Sequence, residues 1–261
     1  MKSFITILLV LVSMQSITAQ HAYFGRSGII SFDKTMYMKN IVRKQYIDKA
    51  DASSKAYFEA MMPSIPENVV LKKSLLFYGD ETLFEPQKGL AIEPAVQGQI
   101  MMFALDFDTQ TLSNLKTKSY RRFNNIVGEK MIIQDTMKGM TWRLTDEYRD
   151  IAGYACRRAN GLTPDSIYVV AYFANEIPVT GGPESINGLP GMILGLVVPS
   201  QHVSYFATKV EFRDQLVFDT KNLDNKKVKI VNRQGFTDMI LSSMSWLNKE
   251  TKDYIVELAL L

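Results

Sequence analysis

Apolar and polar positions alternate with period two over several stretches of the chain, and this pattern predicts most of its elements. Ser27 to Phe32 and Leu71 to Tyr78 are short apolar runs bounded by turn formers and read as strands. Trp142 to Arg149 alternates clearly, with Trp142, Leu144 and Tyr148 on one face and Arg143, Thr145, Glu147 and Arg149 on the other. It is expected to be a half-buried antiparallel strand with one wet face. Gly153 to Ala159 also alternates. Ile167 to Phe173 is apolar on both faces and is expected to be central or covered on both sides. Val203 to Phe212 alternates again, with Phe206, Val210 and Phe212 on its apolar face, and Val228 to Val231 reads as a short strand.

Period 3.6 appears twice. Asp48 to Met62 is rich in helix formers and stops at Pro63. From Phe236 to Leu258, apolar residues recur at steps of three, four and seven (Phe236, Met239, Ile240, Met244, Leu247, Tyr254, Ile255 and Leu258), which predicts one amphipathic helix. Nothing alternates strand with helix in a βαβ pattern. The expected fold is therefore mainly β: a curved antiparallel sheet or half-barrel, packed by a helix from the N-terminal half and a C-terminal amphipathic helix.

The first twenty residues break these patterns. Lys2, the apolar run Phe4 to Val12 and the small or polar stretch Ser16 to Gln20 have the three parts of a secretory signal, with cleavage after Ala19 or Gln20. The expected organisation is a signal peptide over 1–20 and one domain over 21–261, exported to the periplasm or beyond. The apolar run is shorter than the roughly 20 residues a membrane span needs, and no later segment is longer. The mature chain is expected to carry no transmembrane segment.

Composition narrows the function classes. Lys plus Arg is 30 against 27 for Asp plus Glu, a net charge of +3 that gives no electrostatic basis for nucleic acid binding. The single cysteine, Cys156, allows no intramolecular disulfide and is expected to be a buried thiol. No phosphate-binding glycine loop, His-Glu-x-x-His, cysteine pair or Gly-x-Ser-x-Gly is present, so neither a cofactor nor a catalytic set is expected.

Ligand type allows two metal readings: His21 with His202 as a nitrogen site, and a thioether site among methionines such as Met61, Met62, Met101 and Met102. A frayed terminus, an exposed turn histidine and core filling explain the same residues. Glu176 and Glu184 share a loop, and their convergence would suit a secreted hydrolase.

That loop, Ala174 to Gly195, holds five of the fifteen glycines and three of the nine prolines, interleaved with apolar residues. It predicts a rigidly shaped loop whose Leu189-Pro190-Gly191-Met192 forms a type II turn, with Gly191 at positive φ and Met192 to Leu194 entering a strand.

Gly188-Leu189-Pro190-Gly191-Met-Ile-Leu resembles the signature of the GLPGLI family of exported Bacteroidota proteins, with Met192 in place of a leucine. Trp142 followed by Gly153-Tyr154-x-Cys156-x-x-Ala159 resembles a further family block, as do Ala171-Tyr172-Phe173, Glu176-Ile177-Pro178, Gly182-Pro183 and the opening strand Gly28 to Phe32. The resemblance implies export and a β-rich envelope domain and brings no catalytic residue. By fold analogy the chain is also similar to LolA-like carriers, which implies a concave apolar face for a lipid or an extended partner. The expected function is an exported, non-enzymatic envelope binding protein for an apolar ligand or an envelope protein partner, with a hydrolase or a purely structural protein as alternatives.

Overall fold

The computed structural model describes residues 25–103, 109–126, 129–244 and 248–261. The signal sequence, the His21 site and Leu247 of the apolar stripe lie outside the described residues.

Twelve strands form one open, curved sheet. In chain order they are β1 (Ser27–Met36), β2 (Val69–Tyr78), β3 (Glu81–Pro86), β4 (Gln110–Asn114), β5 (Ser119–Ile126), β6 (Glu129–Thr136), β7 (Thr141–Ile151), β8 (Tyr154–Leu162), β9 (Tyr168–Ala174), β10 (Met192–Val198), β11 (Val203–Phe212) and β12 (Lys229–Val231). Five helices accompany them: α1 (Met38–Ile41), which runs into a π-helical turn at Val42–Ile47, α2 (Ala52–Met61), α3 (Pro94–Met102), α4 (Arg233–Ser243) and α5 (Lys249–Ala259).

The spatial order is β12-β6-β5-β4-β3-β2-β1-β11-β10-β9-β8-β7. The chain meanders outward from the centre as β1 to β6, then starts again at the far edge as β7 and meanders back to set β11 beside β1. Every pairing is antiparallel except β12 with β6.

This connectivity dictates the curvature. β6 and β7 are ten strand positions apart, which in a flat sheet is about 48 Å. Only Met137 to Met140 join them, and five steps of extended chain span at most about 18 Å. The sheet must curl until its two ends nearly meet, leaving an unpaired seam between them.

Alternation along β1 sorts the two faces. Gly28, Ile30, Phe32, Lys34 and Met36 are buried on the concave side, and their partners Phe77, Leu75, Lys73, Leu71 and Val69 on β2 share that face. The convex face of the outward meander is covered by the segment before β12, where Leu223 and Phe218 pack with Leu83, Phe123 and Ile132.

Four sequence expectations are corrected here. The C-terminal stripe is two helices rather than one: α4 ends at Ser243, and Asn248 starts α5 by accepting from the Thr251 N–H at 2.8 Å. The helix expected at Asp48–Met62 is α2, which begins after Asp51, whose carboxylate accepts from the Ser54 N–H at 2.9 Å. β7 is a mostly exposed edge strand, with Leu144 43% and Tyr148 63% accessible, because nothing lies beyond it and its pairing shifts between Leu144 and Tyr148. On β11 a bulge at Thr208 flips the alternation. Val203, Tyr205 and Ala207 therefore share the concave face with Val210 and Phe212, while Phe206 points to the convex side and packs near Tyr172.

Candidate ligand site at the seam

The loop between β9 and β10 folds into the concave face instead of bordering it. Its two limbs are tied by backbone hydrogen bonds: Gly188 N–H to Thr180 at 3.1 Å, Ile193 N–H to Gly181 at 2.9 Å, and Met192 N–H to Ile177 at 3.0 Å. A Cβ on Gly181 would meet the concave-side methyl of Thr82 at 2.9 Å, so the loop reaches across to β3.

At its tip Glu184, 5% exposed, meets three concave residues. Its carboxylate lies 3.2 Å from Arg122 Nη2 and 3.8 Å from Lys34 Nζ, and accepts from the Tyr205 hydroxyl at 3.0 Å. Arg122 also donates to Thr111 Oγ1 at 3.0 Å and to the Ala259 carbonyl at 2.5 Å, tying β4 and the end of α5 to the same cluster. An ion pair at this depth needs hydrogen bonds on its remaining donors, and these supply them.

The expected apolar concave surface is present but covered by the chain's own loop, which brings a charge cluster onto it. Nor do the two loop carboxylates converge on free space: Glu184 is engaged on both oxygens, while Glu176 is exposed.

The motif residues fall into two groups. Trp142 turns toward the loop and donates from Nε1 to the Asn187 carbonyl at 3.0 Å, its ring lying over Gly161. Gly188, with φ of +94°, takes the left-handed conformation expected of Gly191. Gly191 is needed for a different reason: a Cβ there would stand 2.2 Å from the Ala174 carbonyl oxygen, so the type II turn is replaced by a direct backbone crossing. Leu189, Gly182 and Pro183 are buried along this loop, and Pro178 and Pro190 are exposed.

The second group lies by the β7–β8 hairpin, whose turn places Ala152 and Gly153 at positive φ. There Cys156 is buried, its thiol pushed up to about 12 by burial and by the nearby Glu176 and Asp150. Tyr154 is raised for the same two reasons, burial first and Glu176 second. His202, expected to be an exposed turn residue, is half-buried in the left-handed region after the 3-10 turn Pro199–Gln201. Its pKa is lowered by burial and by the Lys44 charge.

Where the loop tip reaches the seam it walls a pocket of about 290 Å³. The other walls are β5 at Tyr120, the β6–β7 link, the β8–β9 turn, the start of α4 and the end of α5. Met137, Met140, Ile167, Ile186 and Val256 give it an apolar lining. Lys138, Asp165, Arg233 and Glu257 give it a polar one. Asp165 pairs with Arg233 and lies 3.6 Å from Lys138, while Arg233 also donates to the Leu260 carbonyl at 2.9 Å. Glu257 is exposed, and partial desolvation shifts its pKa upward against a lowering from Lys49. Tyr120 is 4% exposed, and its hydroxyl is buried without a hydrogen-bond partner. A buried hydroxyl is normally satisfied, so Tyr120 is one of the exceptions in this fold.

None of the pocket's polar residues was singled out in the sequence. Lys34 carried a signal, because it occupies an inward position in the alternation of β1. Arg122, Tyr120 and Arg233 carried none. Among the described residues no group of three or more His, Cys, Asp or Glu could hold a metal ion, and no helix is long and apolar enough to cross a membrane.

Residues 160–195 match the family described as "Protein of unknown function (Porph_ging)". This GLPGLI-type match covers β9, the infolded loop and the entry to β10. No curated protein matches the chain. Two of the solved structures that match are of PNGF-II. The one in space group C2 has a TM-score of 0.52 and 15% identity, over 83% of this chain and 33% of that one. The one in space group P21 has a TM-score of 0.51 and 18% identity, over 84% and 34%. The chain therefore spans about a third of PNGF-II, and at this identity the likeness is one of fold. The analogy to LolA-like carriers is not confirmed by them.

Proposed function

We propose that the chain is an exported, non-enzymatic binding protein of the cell envelope that takes its ligand in the seam pocket, not on the concave face. The observation that carries this reading is the pocket itself. It is walled by both meanders, the infolded loop and both C-terminal helices, and its lining sets Met137, Met140, Ile167 and Ile186 beside Lys138, Asp165 and Arg233. Pockets that combine an apolar lining with a few convergent polar groups are the usual small-ligand sites. Export rests on the N-terminal signal pattern, and the envelope setting rests on the family resemblance. Against a hydrolase stands the arrangement of the loop carboxylates, with Glu184 consumed in its cluster and Glu176 apart from it.

Native mass spectrometry of the protein, gently purified from its own envelope, tests both halves. A mass lacking the first 19 or 20 residues supports export. A reproducible small-molecule adduct that disappears in Gln234→Trp, at an exposed position on the pocket mouth, supports the site. An unprocessed chain overturns export, and an adduct untouched by that substitution overturns the site.

A further inference from the structure

The positive charge of the chain is not spread evenly. Residues 221–233 carry five cations (Lys221, Lys226, Lys227, Lys229 and Arg233) against one carboxylate, Asp224, a surplus of four where the whole chain has +3. Two of the five have acidic partners: Arg233 turns to Asp165 at the seam, and Lys221 lies 3.9 Å from Asp219. Asp224 is itself taken by Arg121 at 3.0 Å and by the Thr220 hydroxyl at 2.6 Å. Lys226, Lys227 and Lys229 are exposed and make no ion pair among the described residues.

The fold holds these lysines in one place. Leu223 is buried against Leu83, Phe123 and Ile132, and Val228 packs on the same cluster, so the lysine-bearing turn is anchored at both ends. Within it the Val228 N–H donates to the Asn225 carbonyl at 3.0 Å and the Lys227 N–H to Asn225 Oδ1 at 3.0 Å. β12 then pairs with β6, Lys229 opposite Met131, which sets Lys130 beside Val228 and adds a fourth exposed lysine without an ion pair. Glu129, the carboxylate next to Lys130, falls on the other face of β6 by alternation. Ile230, opposite Ile132, shares the face of Lys130 and is 57% exposed.

Lysines on an edge strand discourage pairing with other chains, and that role accounts for Lys229. It does not account for Lys226 and Lys227, which precede the strand, or for Lys130, which is on its neighbour. A soluble polyanion would need the lysines alone. An exposed Ile230 among them fits a lipid boundary, where cations meet headgroup phosphates and an apolar side chain enters the acyl region. We propose that this corner of the sheet docks on an anionic lipid surface, with Lys130, Lys226, Lys227 and Lys229 at the headgroups and Ile230 below them.

Vesicle co-sedimentation tests this on the chain from His21 on, so that the apolar run Phe4 to Val12 cannot itself bind lipid. Each lysine near an anionic surface is worth about five-fold in partitioning. Vesicles of phosphatidylcholine with phosphatidylglycerol are expected to bind at least about 50-fold better than phosphatidylcholine alone, with the preference lost at about 1 M salt, where screening acts within about 3 Å. Lys226→Gln with Lys227→Gln is expected to weaken anionic-vesicle binding about 25-fold. Ile230→Ser is expected to weaken it about five-fold, for a side chain half withdrawn from water. All three positions are exposed, and unchanged unfolding midpoints confirm that the variants keep the fold. Equal binding to the two kinds of vesicle, or a lysine variant that binds as well as the native chain, overturns the proposal. Soluble polyphosphate that competes fully, together with an Ile230→Ser variant that binds undiminished, overturns it in favour of a soluble polyanion.

Discussion

Replacing Glu184 by Gln keeps size and shape and removes one buried charge. In the native fold that charge faces Arg122 at 3.2 Å and Lys34 at 3.8 Å, all three side chains being 5% exposed or less. The amide can still accept one hydrogen bond, from Tyr205 or from Arg122, but the Arg122 guanidinium then loses its carboxylate at 3.2 Å. Breaking a buried pair from one side typically costs about 3–5 kcal/mol, because the remaining charge stays desolvated. In a domain of this size each kcal/mol lowers Tm by about 2–4 °C, so the expected drop is roughly 6–20 °C. The control is Arg26→Gln, which breaks the 2.6 Å pair with Asp80 between side chains 57% and 47% exposed and is expected to cost less than about 1 kcal/mol. Equilibrium urea unfolding measures both. A double-mutant cycle with Arg122→Met and Glu184→Leu adds a stricter check: the double variant should cost less than the sum of the singles by about 2 kcal/mol or more. A local readout follows from the Trp142–Asn187 bond, since loosening the loop tip should speed exchange of the Trp142 indole N–H. If Glu184→Gln unfolds within about 1 kcal/mol of the native protein, or the cycle is additive, the cluster does not hold the loop in place.

Three further outcomes follow. Cys156, with its thiol pushed up to about 12, is expected to react with a thiol reagent at pH 8 about a thousand-fold more slowly in the native protein than in guanidinium. The same shift, being upward, means that stability is lost as pH rises from the ordinary thiol value toward 12, measurable by urea titration in a Cys156→Ala comparison. Gly191→Ala places a methyl 2.2 Å from the Ala174 carbonyl oxygen and is expected to cost about 2–3 kcal/mol or more. Gly153→Ala enters open space and is expected to cost only about 1 kcal/mol for its positive φ. Equal urea midpoints for the two would refute the backbone-crossing account. His202 has a lowered pKa, so stability is full above the ordinary histidine value of about 6.5 and declines as pH falls through it toward the folded value. His202→Asn, which tolerates the left-handed backbone, should flatten the unfolding midpoint over that range, and an unchanged pH profile would assign the decline elsewhere.

The strands that alternate cleanly were legible. Those at β7, β8 and β11 come from apolar positions at period two and those at β1, β2 and β9 from short apolar runs, and the structure places each within four residues of its expected bounds. β3 to β6 were not. In β5, Ser119–Ile126, the concave face sets Arg122 and Asn124 between Tyr120 and Ile126, and the other face sets Phe123 among Ser119, Arg121 and Asn125, so neither face reads as apolar. The break between α4 and α5 was hidden because the apolar stripe continues in phase across it, while the cue that marks it, Asn248 three residues before Thr251, is a local cap with no periodicity. Bulges are equally silent: nothing in Val203 to Phe212 announces that Thr208 is unpaired, yet that one residue decides which side Phe206 faces. Motif reasoning found the loop and Trp142 but placed the positive φ on the wrong glycine, because it assumed a hydrogen-bonded turn where the backbone instead crosses Ala174.

The seam explains why so much of the recognisable sequence lies where it does. A chain that starts in the middle of its sheet and meanders both ways must carry its two edges to the same place, and the short β6–β7 link brings them there. Those edges cannot pair, so the gap has to be filled by side chains and loops. Residues 160–195 supply two of the fillers: the β8–β9 turn at Thr163–Ile167 and the loop tip at Ser185–Asn187, both of which wall the pocket. The same loop sends Glu184 to bind Lys34 at the centre of the sheet and Arg122 on the outward meander. Any change in the contents of the seam pocket therefore acts one to three residues from the charge that fixes the loop in the concave face. Ligand in the pocket should raise the unfolding midpoint of the native protein more than that of Glu184→Gln, because in the variant part of the binding energy is spent on re-ordering the tip. Equal shifts in the two proteins would mean that pocket and cluster are independent.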